Sequence, residues 1–444
     1  MKKNDLYVTE INDMNNLGLG VCRIDGKVVF VRGGVTGDKL EIGIIKDLSD
    51  HAIARVNKII EPSDIRVENT CASFKRCGGC SFRHVSYECE KLFKKRYVEK
   101  AFEKVGLSVK VEDILSTGSP DRYRNKVQYP IGKDWTLGFF AEHSHEIIPV
   151  SDCLAQDGEF TEILREIVRF GKEKRISVYD HESGKGLMRH VYLRKGRGSG
   201  EIMVCLVANG SSVPHSDELC DLLSSKFPSV KSIILNVNEK RTNVILGERC
   251  VTLFGKDHIE DIFCGLRVRI SPRSFYQVNR ECAELICQKA SELADLKKGE
   301  RLADLFCGIG TIGLSMIKDF PDSELVGIEI IPEAVENAKE NASLNNMKNA
   351  RFICGDANSP EITGANVIVI DPPRKGCAPE LIKRISEISP SRVIYVSCNP
   401  DTLARDCKLF QGEGYSVTRA FAADMFSRTG HVESVVCLTR RLDN

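Results

Sequence analysis

The stretch ERLADLFCGIGTIGLSMI, from Glu300 to Ile317, carries the clearest fold signal in the chain. A short apolar run ends at Leu305, a glycine-rich turn follows, and the next apolar stretch has the spacing of a helix. Beyond it, further apolar runs alternate with helical segments, in SELVGIE, ARFICGD, NVIVIDPP and RVIYVSCNP. This repeat of strand, turn and helix predicts a doubly wound α/β domain of the Rossmann type. Ligands of such domains bind beyond the carboxyl ends of the strands.

Two further regions precede this domain. Residues 1–62 alternate in the manner of β-strands, as in GKVVFVRGG and DKLEIGIIKD, and predict a small β-barrel of the OB type. Such barrels commonly bind oligonucleotides, although the nine basic and nine acidic residues here also fit an interaction module. Residues 63–265 read as a mixed α/β region with a helical stretch near 87–105 and strand candidates that include RYRNKVQYPI, TLGFFAEHSHEIIPV, EIMVCLVA and SIILNVN. We therefore expect three domains, over 1–62, 63–265 and 266–444.

The composition is that of a globular protein, with 42% hydrophobic and 28% charged residues. No apolar stretch reaches membrane-spanning length and the first residues lack the apolar core of a signal peptide, so we expect a cytoplasmic protein without membrane contact. Its 18 cysteines are then thiols, metal ligands or catalysts rather than a disulfide framework. Between Lys75 and Lys126, thirteen basic residues face seven acidic ones, which indicates either a phosphate-binding patch or a solvated helix face.

Three cysteines lie close together in CASFKRCGGC, namely Cys71, Cys77 and Cys80. This C-x5-C-x2-C spacing allows the thiolates to face one centre, and a fourth ligand is required to complete it. Cys89 is the nearest further cysteine but falls in the predicted helix, whereas Cys153 in VSDCLAQ lies on a loop after a strand. The cluster indicates metal binding, and both zinc and a [4Fe–4S] cluster fit its spacing.

The glycine-rich turn has the form G-x-G-x-x-G, from Gly308 to Gly313. Asp304 stands four positions before it, where its carboxylate would crowd the pyrophosphate of a dinucleotide. S-adenosylmethionine has no phosphate and carries an ammonium and a sulfonium, which a carboxylate stabilises. Glu329 closes the next strand, where it can accept the ribose hydroxyls, and Asp356 ends the third strand, where it suits the adenine amino group. Each acid alone could instead be a turn or N-cap residue, but together they favour a cofactor crevice.

The DPPRKG segment places Asp371 at the end of the fourth strand and follows its two prolines with basic residues rather than with an aromatic one. That order disfavours methylation of an exocyclic amine. Cys398 ends the fifth strand, and although a buried structural thiol is the ordinary interpretation, a thiol at a strand end can act as a nucleophile. Methylation of uracil carbon 5 requires such a thiol to add to carbon 6, and then a base. Glu433 in TGHVESVV is our candidate base, with a solvated edge-strand glutamate as the alternative.

With these parts assembled, the whole chain resembles the RNA 5-methyluridine (uracil-C5) methyltransferase family. The resemblance rests on the OB-type region, the cysteine spacing and the motifs SFYQVN, DLFCGIG, DPPRKG, SCNP with TLARD, and TGHVES. It implies that the N-terminal barrel is a TRAM domain and that Cys398 is the nucleophile and Glu433 the base.

The same resemblance implies the cofactors and their ligands. A [4Fe–4S] cluster is expected on Cys71, Cys77, Cys80 and Cys153. The S-adenosylmethionine site is expected to be lined by Gln277, Phe306, Thr311, Glu329, Asp356 and Asp371.

The expected substrate is RNA with its target uridine flipped out of the stack, bound by a monomeric protein. The presence of both the TRAM domain and the cluster favours 23S ribosomal RNA. Transfer RNA is the alternative substrate. A 5-methylcytosine RNA methyltransferase and a non-catalytic RNA-binding factor are the competing functions.

Overall fold

In the computed structural model, which describes residues 1–141, 144 and 146–441, the chain forms four β-sheets. The first has six strands in the order β1-β5-β6-β4-β3-β2, with the bounds β1 Leu6–Glu10, β2 Asp13–Met14, β3 Gly20–Ile24, β4 Lys27–Arg32, β5 Lys39–Asp47 and β6 His51–Glu61. Only two residues separate β1 from β2, and β1 pairs with β5 while β2 pairs with β3. The sheet therefore closes on itself around a small apolar core, which confirms the β-rich N-terminal region.

The predicted helix near 87–105 is confirmed as α1, Tyr87–Lys104. A seven-stranded sheet in the order β10-β9-β8-β11-β12-β13-β14 follows, with the bounds β8 Lys126–Gly132, β9 Thr136–Phe140, β10 Ile147–Pro149, β11 Met188–Lys195, β12 Ile202–Ala208, β13 Val230–Val237 and β14 Arg249–Gly255. Helices α2, Gly158–Glu173, and α3, Ser216–Lys226, accompany it. The stretch TLGFFAEHSHEIIPV forms β9 and β10, and its residues 142, 143 and 145 lie outside the described residues.

The C-terminal part begins with a hairpin, β15 Ile259–Phe263 and β16 Leu266–Ile270, and then forms an eight-stranded sheet. Its strands are β7 Ile114–Leu115, β17 Arg301–Leu305, β18 Glu324–Glu329, β19 Ala350–Cys354, β20 Val367–Ile370, β21 Arg392–Ser397, β22 Tyr415–Ala423 and β23 Glu433–Arg440, in the order β19-β18-β17-β20-β21-β23-β22-β7. Strands β17 to β21 are parallel and β23 is antiparallel to β21. The predicted Rossmann-like domain is confirmed.

Helices cover both faces of this sheet, with the bounds α4 Arg280–Ala294, α5 Thr311–Ile317, α6 Pro332–Leu344, α7 Pro379–Ile388 and α8 Pro400–Gly412. One apolar core packs α4, α5 and α6 on one face, and a second packs α1, α7 and α8 on the other. Burial on both faces explains why the strands read as nearly continuous apolar runs. No helix in the described part of the chain has the length and apolar character to cross a membrane.

Candidate active site

The strand register brings chemically active residues to one edge of the C-terminal sheet. The parallel strands β18, β17, β20 and β21 end within two residues of one another in the register, and β23 begins where β21 ends. The residues at or just beyond these ends therefore follow one another along the edge, in the order Glu329, Phe306, Asp371, Cys398 and Glu433. In a doubly wound sheet this is the edge at which ligands bind.

Asp304 lies beneath the glycine-rich loop and is 1% exposed. Its Oδ2 accepts a hydrogen bond of 2.9 Å from the Gly313 amide, whereas its buried Oδ1 has no hydrogen-bond partner among the described residues. A Cβ on Gly313 would lie 2.7 Å from that Oδ2, which explains the glycine. Burial, together with the charges of Asp371 and Glu329, raises the pKa of Asp304 to about 8, against the lowering effect of the Gly313 hydrogen bond. A carboxyl group that has one oxygen without a partner and lies near two other acidic residues can stabilise a bound cation.

The loop between β17 and α5 is held open by its backbone. Phe306 has a φ of 62°, an unfavourable conformation for a residue with a side chain, and such strain is concentrated at functional sites. The Glu329 carboxylate accepts hydrogen bonds from the amides of Gly308, at 3.1 Å, and Ile331, at 2.9 Å. A Cβ added to Gly308 would meet nothing within 4 Å, so the loop faces open space at this point.

The other residues expected to bind the cofactor lie around this edge. Asp356 is exposed and its Oδ1 accepts hydrogen bonds from the Asn358 amide and side chain, at 2.9 and 2.8 Å. Asp356 therefore stabilises the turn that follows β19. Thr311 is the first residue of α5 and is half-buried. Gln277, also half-buried, lies in the loop before α4, where its carbonyl accepts a hydrogen bond of 2.9 Å from Asn125.

Cys398 follows the last residue of β21 and is half-buried. The strand ends there because the next residues begin a helix. Asn399 caps α8 by accepting a hydrogen bond of 3.1 Å from the Asp401 amide, and Pro400 occupies the first helical position. The Asn-Pro pair thus ends the strand at the thiol and leaves it at the sheet edge.

Glu433 lies beside Cys398, because the residues next to them, Ser397 and Ser434, are paired across β21 and β23. Glu433 is the first residue of β23, which lies between β21 and β22, and it is 7% exposed, so it is not a solvated edge-strand glutamate. Burial, together with the charge of Asp371, raises the pKa of Glu433 to about 8, and the charge of Arg374 opposes both.

The pKa of the Cys398 thiol is also raised. Burial contributes most, followed by the charges of Glu433 and Asp371, whereas Arg374 lowers it through its charge and a hydrogen bond. Asp371 and Arg374 therefore act on both the Cys398 thiol and the Glu433 carboxyl.

A buried ionic network, not predicted from the sequence, holds the loop that precedes Glu433. Lys94 Nζ, on α1, lies 2.9 Å from a Glu90 carboxylate oxygen and 2.5 Å from Asp424 Oδ1. The Arg428 amide donates to Glu90 at 2.6 Å, and the Tyr87 hydroxyl donates to Asp424 at 2.6 Å. Only the i,i+4 spacing of Glu90 and Lys94 signals this network in the sequence.

The loop that carries Arg374 is fixed by two residues of the TLARD motif, which lies within α8. Asp406 Oδ2 accepts a hydrogen bond of 2.7 Å from the Cys377 amide. Arg405 donates to the carbonyls of Lys375 and Cys377, at 2.9 and 3.3 Å. The helix that begins beside Cys398 therefore also positions the basic loop.

The structure brings together the four cysteines that were expected to share a centre. Cys71, Cys77, Cys80 and Cys153 line one cavity of about 410 Å³, whereas Cys89 packs into a separate apolar cluster. Burial raises the pKa of the Cys77 thiol, and the Cys80 and Cys71 thiols raise it further. In the described part of the chain, no three His, Cys, Asp or Glu side chains are placed to hold a single metal ion. The four cysteines thus share the lining of one cavity.

The cysteine segment contacts the loop that precedes Glu433 through its backbone. The amides of Ser81 and Phe82 both donate to the carbonyl of Arg428, at 2.7 and 3.2 Å. Arg428 precedes Glu433 by five residues. The segment that carries three of the cysteines therefore supports the same loop as the buried ionic network.

Comparison with known proteins agrees with this geometry. A family model described as a methyltransferase domain matches residues 296–423. The chain is 39% identical to an uncharacterized RNA methyltransferase of Halalkalibacterium halodurans, over 99% of this chain and 98% of that protein. It is 41% identical to another from Clostridium acetobutylicum, again over 99% and 98%. The crystal structure of Pyrococcus abyssi tRNA (uracil-54, C5)-methyltransferase in complex with S-adenosyl-L-homocysteine is similar, with a TM-score of 0.81 and 28% identity, covering 97% of this chain and 99% of that one.

Proposed function

The chain belongs to the RNA methyltransferase family, and on this basis we propose that it methylates carbon 5 of a uridine in RNA, with S-adenosylmethionine as the methyl donor. The observation that carries the proposal is the adjacency of Cys398 and Glu433 at the sheet edge. Uracil carbon 5 is a weak nucleophile and needs both a thiol and a base for its methylation, and this edge provides them side by side. The similar Pyrococcus abyssi protein, named as a uracil-C5 enzyme, supports the same choice of atom.

The residues present fit S-adenosylmethionine. The orphaned Oδ1 of Asp304 and the open space at Gly308 provide an acidic, uncrowded crevice for a cationic ligand. We propose that Glu329, Phe306 and Asp371 line this crevice, with Gln277, Thr311 and Asp356 around it. The bound cofactor supplies a methyl group on a positively charged sulfur.

In the proposed reaction, the Cys398 thiolate forms a bond to carbon 6 of the uracil, and the electron pair of the 5,6 double bond moves to carbon 5 as an enolate. Carbon 5 then takes the methyl group as its bond to the donor sulfur breaks, which leaves that sulfur as a neutral thioether. Glu433 removes the proton from carbon 5, the double bond re-forms and the carbon–sulfur bond breaks, so that Cys398 leaves as a thiolate. Arg374 stabilises that thiolate, because it lowers the pKa of the thiol in the free protein.

We propose that Cys71, Cys77, Cys80 and Cys153 hold a [4Fe–4S] cluster. A zinc ion requires all its thiolates at about 2.3 Å from one centre, whereas a cluster distributes them over four iron atoms. Thiols that surround a cavity support the cluster. The cluster would fix the segment whose Ser81 and Phe82 amides bind the loop that precedes Glu433.

Residues 1–62 are proposed to be an RNA-binding TRAM domain, followed by a cluster domain over 63–265 and the methyltransferase domain over 266–444. Helix α1 and strands β7 and β15, which precede residue 266, also pack with the C-terminal domain. The closed strand order of the first region is that of an OB-type barrel, which supports this role.

We propose 23S ribosomal RNA as the substrate and transfer RNA as the second candidate. The second candidate is favoured by the Pyrococcus abyssi tRNA enzyme, which is similar over 97% of this chain. Because that similarity extends to the N-terminal region, the presence of this region does not by itself select ribosomal RNA.

The test is nucleoside mass spectrometry of unmodified 23S and transfer RNA after incubation with anaerobically purified protein and S-adenosylmethionine, with Cys398→Ala as the inactive control. We expect new 5-methyluridine in one of the two RNAs. New 5-methylcytidine instead would identify the competing cytosine reaction. Unchanged RNA with the wild-type protein would favour a non-catalytic RNA-binding factor.

A further inference from the structure

We propose that a basic cavity between the N-terminal barrel and α1 binds a backbone phosphate of the RNA strand next to the target uridine. We call it the α1 cavity; its lining includes Asn16, Arg96, Tyr97, Lys100, Lys104 and Gly430, together with Asp13 and the apolar Met14, Phe82 and Phe93. The inference rests on the proposed RNA substrate and adds a subsite to it.

The α1 cavity adjoins both sides of the candidate active site. Asp401, three residues beyond Cys398, accepts a hydrogen bond of 2.9 Å from the Tyr97 hydroxyl and pairs with Lys104 at 3.0 Å. Gly430, three residues before Glu433, forms part of its wall. A strand with one nucleotide at the thiol would therefore have a neighbouring linkage within reach of this cavity.

The N-terminal barrel closes the other side. A Cβ on Gly430 would lie 1.7 Å from the carbonyl oxygen of Asn16. The barrel loop that contains Asn16 therefore packs directly on the backbone of the loop that precedes Glu433. Lys100 also reaches across to Asp13 of β2, at 3.1 Å. The barrel is thus placed to form one wall of an RNA path and not only a distant anchor.

The charges of the rim select an anion. Arg96, Lys100 and Lys104 recur every four residues along α1, which aligns them on one face at intervals of about 6 Å. Lys100 and Lys104 form exposed ion pairs, which are weak and can be exchanged for a phosphate. Arg96 is exposed and has no hydrogen bond or ion pair to any described residue. An arginine in this state can bind a phosphate through two parallel hydrogen bonds.

The volume of the α1 cavity, about 170 Å³, argues for a small group. Pockets for larger organic ligands commonly measure about 300–1,000 Å³. A phosphate with part of its ribose is of the right class, since it needs cations at the rim and few contacts inside.

The test compares two variants that each remove two positive charges. The double variant Arg96→Gln with Lys100→Gln, which we call the rim variant, removes two positive charges from the rim of the α1 cavity. Lys297→Gln with Lys298→Gln is the matched control, since these exposed lysines precede β17 and lie at the opposite edge of the sheet. Binding of unmodified 23S fragments and of a transfer RNA transcript is measured by fluorescence anisotropy over a series of salt concentrations.

Each phosphate contact on a single strand contributes about 0.7 to the salt slope of log Kd, or about fivefold in affinity at 0.1 M salt. We therefore expect the rim variant to bind about 25-fold more weakly at 0.1 M salt, with a slope lower by about 1.4, and the control to match the wild type. The single variant Arg96→Gln, which breaks no internal contact, provides the same test at about fivefold.

Unchanged Kd and salt slope in both rim variants would overturn the subsite. Because the assay needs no methyl transfer, the two proposals fail separately. RNA that binds with the expected slopes but gains no 5-methyluridine would refute the function and leave the subsite standing.

Discussion

Replacing Glu433 with Gln should stop the reaction after methyl transfer. The amide has the same shape and removes the only function we assign to this side chain, which is to take the proton from carbon 5. Without that step the carbon–sulfur bond cannot break, and protein and RNA stay joined. The variant should therefore accumulate a methylated covalent adduct in which Cys398 is bonded to carbon 6.

The size of the effect follows from the role and the pKa. A positioned general base contributes about 10²- to 10⁴-fold to a rate, so turnover should fall by about that factor. With a pKa of about 8, Glu433 is largely protonated at neutral pH. The wild-type release rate should therefore rise about tenfold from pH 7 to pH 9 and level off above pH 8, because only the ionised carboxylate is a base. The variant should lack this rise.

The assay mixes protein, methyl-labelled cofactor and RNA, and separates the products on a denaturing gel over time. A labelled band that combines protein and RNA should appear with Glu433→Gln and be absent with Cys398→Ala. Free methylated RNA formed by Glu433→Gln at the wild-type rate would remove Glu433 from the role of the base.

Three further predictions concern other parts of the molecule. The affinity for S-adenosylmethionine should rise between pH 6 and pH 8, because Asp304, with a pKa of about 8, must lose its proton to stabilise a bound cation. Calorimetry in buffers of different ionisation enthalpy should therefore show that binding releases a proton. An affinity that does not change with pH would contradict this prediction. Lys94→Met should lower the free energy of unfolding by about 3–5 kcal/mol in urea titrations, because it leaves buried carboxylates unpaired. Lys91→Met is the control, since Lys91 pairs with an exposed glutamate, and it should lower the free energy of unfolding by less than about 1 kcal/mol. Cys153→Ser should lower the iron content of anaerobically purified protein and Cys89→Ser should not, and equal iron in both would remove Cys153 from the proposed ligands.

The sequence was sufficient to predict the strand ends, because each parallel strand is a short apolar run, and β18, β20 and β21 end at or next to a polar residue. Glu329 and Asp371 could thus be assigned to one edge of the sheet from the order of residues alone. The adjacency of Cys398 and Glu433 could not be derived in this way. It depends on the antiparallel register of β23, and no local pattern specifies which strand a distant segment will join.

Contacts that span the chain were also beyond sequence reasoning. Lys94 and Asp424 are separated by 330 residues, and β7 joins the C-terminal sheet although it lies far upstream of the other strands. Burial of such charges is costly unless partners are present, and the partners are fixed only when the fold is complete.

The shared electrostatics of the site imply an order for the proposed steps. A negative charge on Glu433 raises the pKa of the Cys398 thiol, so the thiolate forms more readily while Glu433 holds its proton. Burial keeps that proton in place up to a pH of about 8. Once sulfur is bonded to carbon 6 it carries no charge, and ionisation of Glu433 is no longer opposed from that side. The nucleophile therefore acts first and the base second, which is why a neutral amide at Glu433 should leave the first half of the reaction intact and block the second.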